Sequence, residues 1–382
     1  MSLTKRHALV AGAAAVLLAA GTATVITGTG QGSASGAKTA HLASSTCTGP
    51  AGAAYVALAG FQAFDAIDTD NCTFIQDYNV GDPQVPGNPG DFNFVSSDQG
   101  VALHGNTLYF ADTGSNTVSV IDASTLDPKN FNPAETDIHV GFNPEDLAVS
   151  PDGTQLWVTD TGPQTGSSSL TDIDVISTAT DKVTATLPMP SAPDQVTFSP
   201  SGATAYVTTA AGLWIFNTAT DHVAGVITGL GDPHGIAVSP DGSTVYVTST
   251  ANNVVEVISA ATHQVTGTIP VGQLPWGVAL SAKGGTLYVA DPDSNQISVI
   301  STKTDTVTST ISLAGGPDVL ALTPDGSQLW VCGLTSGILT VLNTSHDSVV
   351  GTVNLGGGGA NSGDGLDATG IVMTTTPTPG GS

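Results

Sequence analysis

Ile236-Ala237-Val238-Ser239-Pro240-Asp241-Gly242-Ser243-Thr244-Val245-Tyr246-Val247-Thr248 reads as two β-strands folded about a tight turn. The flanking segments carry the Val, Ile and Tyr that suit a pleated, buried surface, and Pro-Asp-Gly punctuates them. The same phrase returns along the chain. It runs Leu147 to Gly153 with Trp157-Val158-Thr159-Asp160, Val196 to Gly202 with Tyr206-Val207-Thr208, and Val278 to Gly284 with Tyr288-Val289-Ala290. A further copy is Leu320 to Gly326 with Trp330-Val331-Cys332, and a degenerate first copy starts at Val101, with His104-Gly105 at its turn. The starting points 101, 147, 196, 236, 278 and 320 are 46, 49, 40, 42 and 42 residues apart.

Each unit continues with two more alternating segments, such as Ile297 to Ser301 and Val265 to Gly272. Four short strands in about 40–45 residues is the period of a β-propeller blade. The two ends of the chain complete the pattern. Tyr55-Val56-Ala57, Phe61 to Asp68 and Cys72 to Val80 read as second, third and fourth strands with no first strand before them, while Gly370 to Thr374 reads as a first strand alone. One C-terminal strand added to three N-terminal ones predicts a seventh blade that closes the ring and removes its exposed edges. The expected fold class is all-β, a seven-bladed β-propeller of four-stranded antiparallel blades with a composite closing blade.

These motifs, the Ser-Pro-Asp-Gly turns at 150–153 and 239–242, the Tyr-Val-Thr phrases and the Val-Ile-Ser/Asp third strands, resemble those of the YVTN-repeat, surface-layer or YncE-like propellers. The resemblance spans about residues 53 to 375. It implies the propeller fold and a family that includes cell-surface scaffolds and ligand or nucleic-acid binders; related propellers include lactonases and lyases, so fold alone does not select a function.

Composition narrows the choice. The 382 residues carry 7 basic and 32 acidic side chains, a net charge of −25, and only 10% are charged. So few basic residues cannot displace counterions from phosphates, which excludes nucleic acid as a partner; cations, basic small molecules or cell-envelope components are the electrostatically natural ligands. Lys5-Arg6-His7 followed by the apolar run Ala8 to Ala20 reads as an export signal ending near Ala37, so the mature protein is expected outside the cell, secreted or held at the surface, with no stable membrane insertion and as a monomer. The expected organisation is signal peptide 1–37, lead-in 38–52, propeller 53–375 and a Thr/Pro/Gly tail 376–382. Cys47 and Cys72 are expected to form one bridge in an oxidising compartment, and Cys332, in an apolar run, to be a small buried hydrophobe.

In a propeller, the residues just before each first strand gather around one mouth of the central channel. Here they include Gln99, Glu145, Asp194, His234, Trp276 and Asp318. They are expected in loops, and because they differ from blade to blade a turn requirement does not explain them; they are the candidate ligand site. Glu145, Asp194 and Asp318 are the candidate ligands of a divalent cation such as calcium. Asp112, Asp160 and Asp291, which end second strands on the same face, are read as structural repeat residues. Among the catalytic motifs there is no GxSxG, HExxH, Walker loop or GxGxxG. The chain is therefore read as a secreted or cell-surface binding or scaffold module; the alternative is a metal-assisted lyase or lactonase using the same mouth with His234 as acid/base.

Overall fold

A computed structural model describes residues 53–58, 63–68, 73–79, 100–113, 115–127, 133–162, 171–333, 338–355 and 368–374. The expected signal segment and lead-in, Cys47, Cys72, Gln99 and the tail lie outside the described residues. Two single-turn 3-10 helices, Ala123–Thr125 and Pro292–Ser294, are the sole departures from β-structure among the described elements. No helix among the described residues is long and apolar enough to cross a membrane.

The protein is an all-β propeller of four-stranded antiparallel blades. Six blades are contiguous in sequence, and each is a simple meander with strands in chain order. Blade 2, for example, consists of Pro144–Val149, Gln155–Asp160, Asp172–Ser177 and Lys182–Pro188. Blade 1 runs from Val101 to His139, blade 3 from Pro193 to Thr228, blade 4 from Pro233 to Pro270, blade 5 from Val278 to Ser312 and blade 6 from Pro317 to Asn354. A further four-stranded sheet joins the two ends of the chain. In it Ala368–Thr374 pairs antiparallel with Ala53–Leu58, Val56 opposite Ile371, followed by Ala63–Asp68 and Thr73–Asn79.

Local chemistry explains the repeat. In the turn of blade 4 the Ser239 hydroxyl donates to Asp241 Oδ1 at 2.6 Å, and the Ser243 N–H donates to the same oxygen at 3.0 Å. Ser239 Oγ in turn accepts the Thr244 N–H at 2.9 Å, so every turn group has a partner. Gly242 holds φ at 71°, a conformation that a side chain would strain. At the hairpin between third and fourth strands, on the same edge of each blade, Asp181, Asp221, His263, Asp305 and Asp347 take φ of 51° to 56°. Asp tolerates that left-handed turn better than most residues, which accounts for the recurring Thr-Asp before the fourth strand.

Second strands are buried along nearly their whole length, whereas fourth strands such as Lys182–Pro188 alternate between exposed and half-buried. The Tyr-Val-Thr and Trp-Val-Thr phrases therefore face apolar neighbours on both sides, which is why they carry no polar alternation. Seven apolar clusters fill the spaces between neighbouring sheets. Trp157, fully buried, meets Phe198 and Phe216 of blade 3 edge-on, with ring centroids 5.8 and 5.5 Å away. Cys332 is fully buried in the cluster that packs blade 6 against Ala54 and Val56 of the terminal sheet. Tyr55 and Ala66, on the other side of that sheet, pack with Val101, Leu108 and Phe110 of blade 1.

One expectation is corrected. Glu145, Asp194, His234 and Asp318 do not sit in loops: these first strands begin three residues earlier than the repeat suggests, at Pro144, Pro193, Pro233 and Pro317. The proline pairs with the last residue of the second strand, and the register then slips. In blade 3 Pro193 lies opposite Thr209 and the next paired residue is Val196, opposite Val207. Asp194 and Gln195 thus form a bulge, and blades 2 and 4 repeat it with Glu145-Asp146 and His234-Gly235.

Candidate functional site

In blades 2, 3 and 4 the bulges carry mouth residues, and a threonine from the second strand fixes each one. Thr208 Oγ accepts the Gln195 N–H at 3.1 Å within its own blade and donates to the carbonyl oxygen of His234 in the next blade at 2.9 Å. Thr159 does the same for the Asp146 N–H (2.9 Å) and the Asp194 carbonyl (2.8 Å). Thr248 links the Gly235 N–H and the Trp276 carbonyl, both at 2.8 Å. The Thr of the Tyr-Val-Thr or Trp-Val-Thr phrase is therefore the pin that holds the bulges of blades 2, 3 and 4 and ties each to the segment leading into the next blade. Glycine follows His234 and Trp276 for the same reason: a Cβ on Gly235 would lie 2.4 Å from the Trp276 carbonyl oxygen, and one on Gly277 would lie 2.1 Å from that of Asp318.

These pinned bulges turn inward. Gly100, Glu145, Asp146, Asp194, Gln195, Trp276 and Val319 line one cavity, to which five blades contribute. Of the residues expected there, Glu145, Asp194 and Trp276 meet in it directly. Their relative exposures of 5%, 9% and 6% make them largely enclosed groups. Asp318 is buried beside it, with its neighbour Val319 at the wall, and His234 stands behind Asp194 and Trp276. Asp146 was missed by the sequence reading. Its Oδ2 accepts the Val196 N–H of the next blade at 2.9 Å, a role that only the bulge geometry makes visible.

His234 is held from three sides. Nδ1 contacts the Asp194 carboxylate, Nε2 lies 3.8 Å from Asp232 Oδ2, and the ring stacks on Trp276 with centroids 3.5 Å apart and planes 27° from parallel. Burial alone favours the neutral ring, but Asp194, and then Asp232, outweigh it and raise the pKa to about 9. The nearby imidazole outweighs burial and holds Asp232 below the usual carboxylate range. The site thus contains an imidazolium between two carboxylates, with an indole face against it.

A second acidic group lies in blade 2. Asp160, at the end of the second strand, pairs directly with Asp172, and Asp174 follows two residues on, on the same face of the sheet. One oxygen from each lies within 4.8 Å of the others. Burial first, then the charges of Asp174 and Asp172, push the Asp160 carboxyl up to about 9. Burial raises Asp172 and Asp174 as well. In blade 5 the matching aspartate, Asp291, is answered by donors: Ser298 Oγ at 2.6 Å and Gln296 Nε2 at 3.1 Å. In blade 1 the corresponding third-strand residues are Thr117 and Ser119. The signal in the sequence is this exchange, Asp172-Ile173-Asp174 where blades 1 and 5, which also end the second strand in aspartate, carry hydroxyls or an amide.

Comparison with solved structures agrees with the architecture. The chain is similar to a functionally unknown protein from Desulfotomaculum acetoxidans, at 16% identity and a TM-score of 0.67, covering 85% of this chain and 99% of that one. It is also similar to hydrazine synthase of Kuenenia stuttgartiensis (19% identity, TM-score 0.63, 81% and 99% covered) and to a dihydro-heme d1 dehydrogenase (14%, 0.57, 85% and 75%). At these identities the likeness is one of fold. No curated protein matches. The family model described as the choice-of-anchor I domain matches residues 50–294, well over half of the 382, and its description points to a cell-surface β-propeller module. The chain belongs to the choice-of-anchor I domain family.

Proposed function

We propose that this protein is a secreted, surface-held binding module, with narrower kinship to the YVTN or YncE-like propellers, and that its ligand enters the acidic mouth of the channel. The observation that carries the reading is the convergence of Glu145, Asp194 and Trp276, from three blades, on one cavity. Enclosed carboxylates beside an aromatic face suit a cationic guest, an amine or a hard divalent ion such as calcium. The sheet joining the chain ends acts as the seventh blade and keeps the mouth a closed ring. The lyase or lactonase reading is less well supported: an imidazole held protonated near neutral pH, as His234 is, cannot serve as general base without first losing its carboxylate partners.

Melting the mature protein with calcium, with magnesium and with spermidine tests the proposal. With the blade 2 acidic group disabled by Asp160→Asn, at least one of these should raise the melting temperature, and adding Asp194→Asn/Asp318→Asn should abolish that response. An Asp160→Asn melt indifferent to all three, or an unchanged response after the added substitutions, would leave the mouth as solvated surface.

A further inference from the structure

We infer that Asp160, Asp172 and Asp174 form a calcium site inside blade 2, separate from the channel mouth. The first observation is geometric. Oxygens within 4.8 Å of one another fit around one ion, since ligands 2.3–2.6 Å from a common centre lie no more than about 5 Å apart.

The second is a side chain left without donors. Asp160 is fully buried, and neither carboxylate oxygen has a hydrogen-bond partner; Asp172 Oδ1 is in the same condition. Asp174 is served differently, accepting the Gly141 N–H at 3.0 Å and the Thr186 hydroxyl at 2.5 Å. Those two donors anchor one carboxylate and leave the other two facing each other. Among the described residues, none of the three makes an ion pair with a cationic side chain.

The third observation is internal to the chain. Blade 5 has the same second-strand aspartate on the same pleat, yet Gln296 and Ser298 give its Oδ2 hydrogen bonds, leaving only Oδ1 without a partner. Blade 2 supplies acceptors at both positions, so neither oxygen of Asp160 finds a donor among them, and a bound cation would compensate the cluster. The neighbouring blade's backbone packs closely over the cluster, as it does at Asp291 in blade 5, where Gly272 takes the same place. Gly141 follows blade 1, and a Cβ there would come within 2.7 Å of Asp172 Oδ1 and 2.8 Å of Asp160 Cβ and Cγ. A donor set made only of oxygens selects a hard cation, and the flexible coordination of calcium tolerates a site built from three side chains better than the strict octahedron of magnesium does.

The test uses the mature protein, stripped with chelator and dialysed against calcium, with bound metal measured by elemental analysis and stability by thermal melting. Wild type should retain an equivalent of calcium that survives Asp194→Asn in the channel mouth. The Asp172→Gln/Asp174→Ser variant reproduces the blade 5 arrangement, so it should fold and lose that equivalent, and in an Asp194→Asn/Asp318→Asn background it should melt identically with calcium or chelator. Should that pair disturb folding, Asp160→Asn is expected to show the same loss. No calcium retained by wild type, the same uptake in the blade 2 variants, or loss on Asp194→Asn would each overturn the assignment.

Discussion

His234 carries a proton in surroundings that would otherwise strip it, because Asp194 and Asp232 face its two nitrogens. Its folded-state pKa of about 9 lies above the ordinary 6.5, so the stabilisation from this charge is full below about pH 6.5 and is lost as the pH rises through 9. Urea melts of wild type and His234→Gln from pH 6 to 9.5 should converge at the alkaline end; a constant gap across that range would contradict the ion pair. The pin at Thr208 is a second residue-scale device. Thr208→Val leaves a buried N–H and a buried carbonyl without their partner and should cost about 1–3 kcal/mol in urea melts, while Thr208→Ser should retain most of the stability. Much of this site was legible in the sequence, since Glu145, Asp194 and Trp276 follow from the blade period alone. Their burial was not, because a bulge is invisible in an alternating pattern until the proline that starts it is paired. Asp172 and Asp174 were missed for another reason: the second strand's Asp160 was read with its repeat, and the third strand's departure from the repeat was the informative part.

The strands themselves were readable because two independent signals coincide, the Pro-Asp-Gly turn and the β-branched alternation on either side. Trp157 shows what holds neighbouring blades together. It belongs to blade 2 by sequence but to the interface with blade 3 by packing, against Phe198 and Phe216. Trp157→Ala is expected to destabilise the protein by about 3–5 kcal/mol, measured by chemical denaturation, since the surrounding sheets cannot close over so large a void. A cost under about 1 kcal/mol would mean that this interface is not a close-packed one. Boundaries were less legible than the strands. The first strands begin at prolines that a sequence reading places in the preceding turn, because proline lacks an N–H and is expected to end pairing rather than open it.

The closed ring proposed above would be a property of the whole chain, and it would depend on residues more than 300 apart in sequence. Val56 lies opposite Ile371, and the sheet they share packs against blade 6 on one side and blade 1 on the other. Deleting residues 370–382 should therefore uncover the edge of Ala53–Leu58 and produce aggregation or a large drop in melting temperature. The pairing of the chain ends was legible in the sequence because three strands without a first and a first strand without successors complete one another. The channel mouth depends on it as well, since its carboxylates converge only if the blades form one circle. Native-state amide hydrogen exchange tests that closure most directly. If the ring is latched by its ends, the amides of Ala53–Leu58 and Ala368–Thr374 exchange as slowly as those of the blade 4 second strand, Thr244–Ser249; if both end strands exchange within seconds while Thr244–Ser249 remains protected, the ring is not closed.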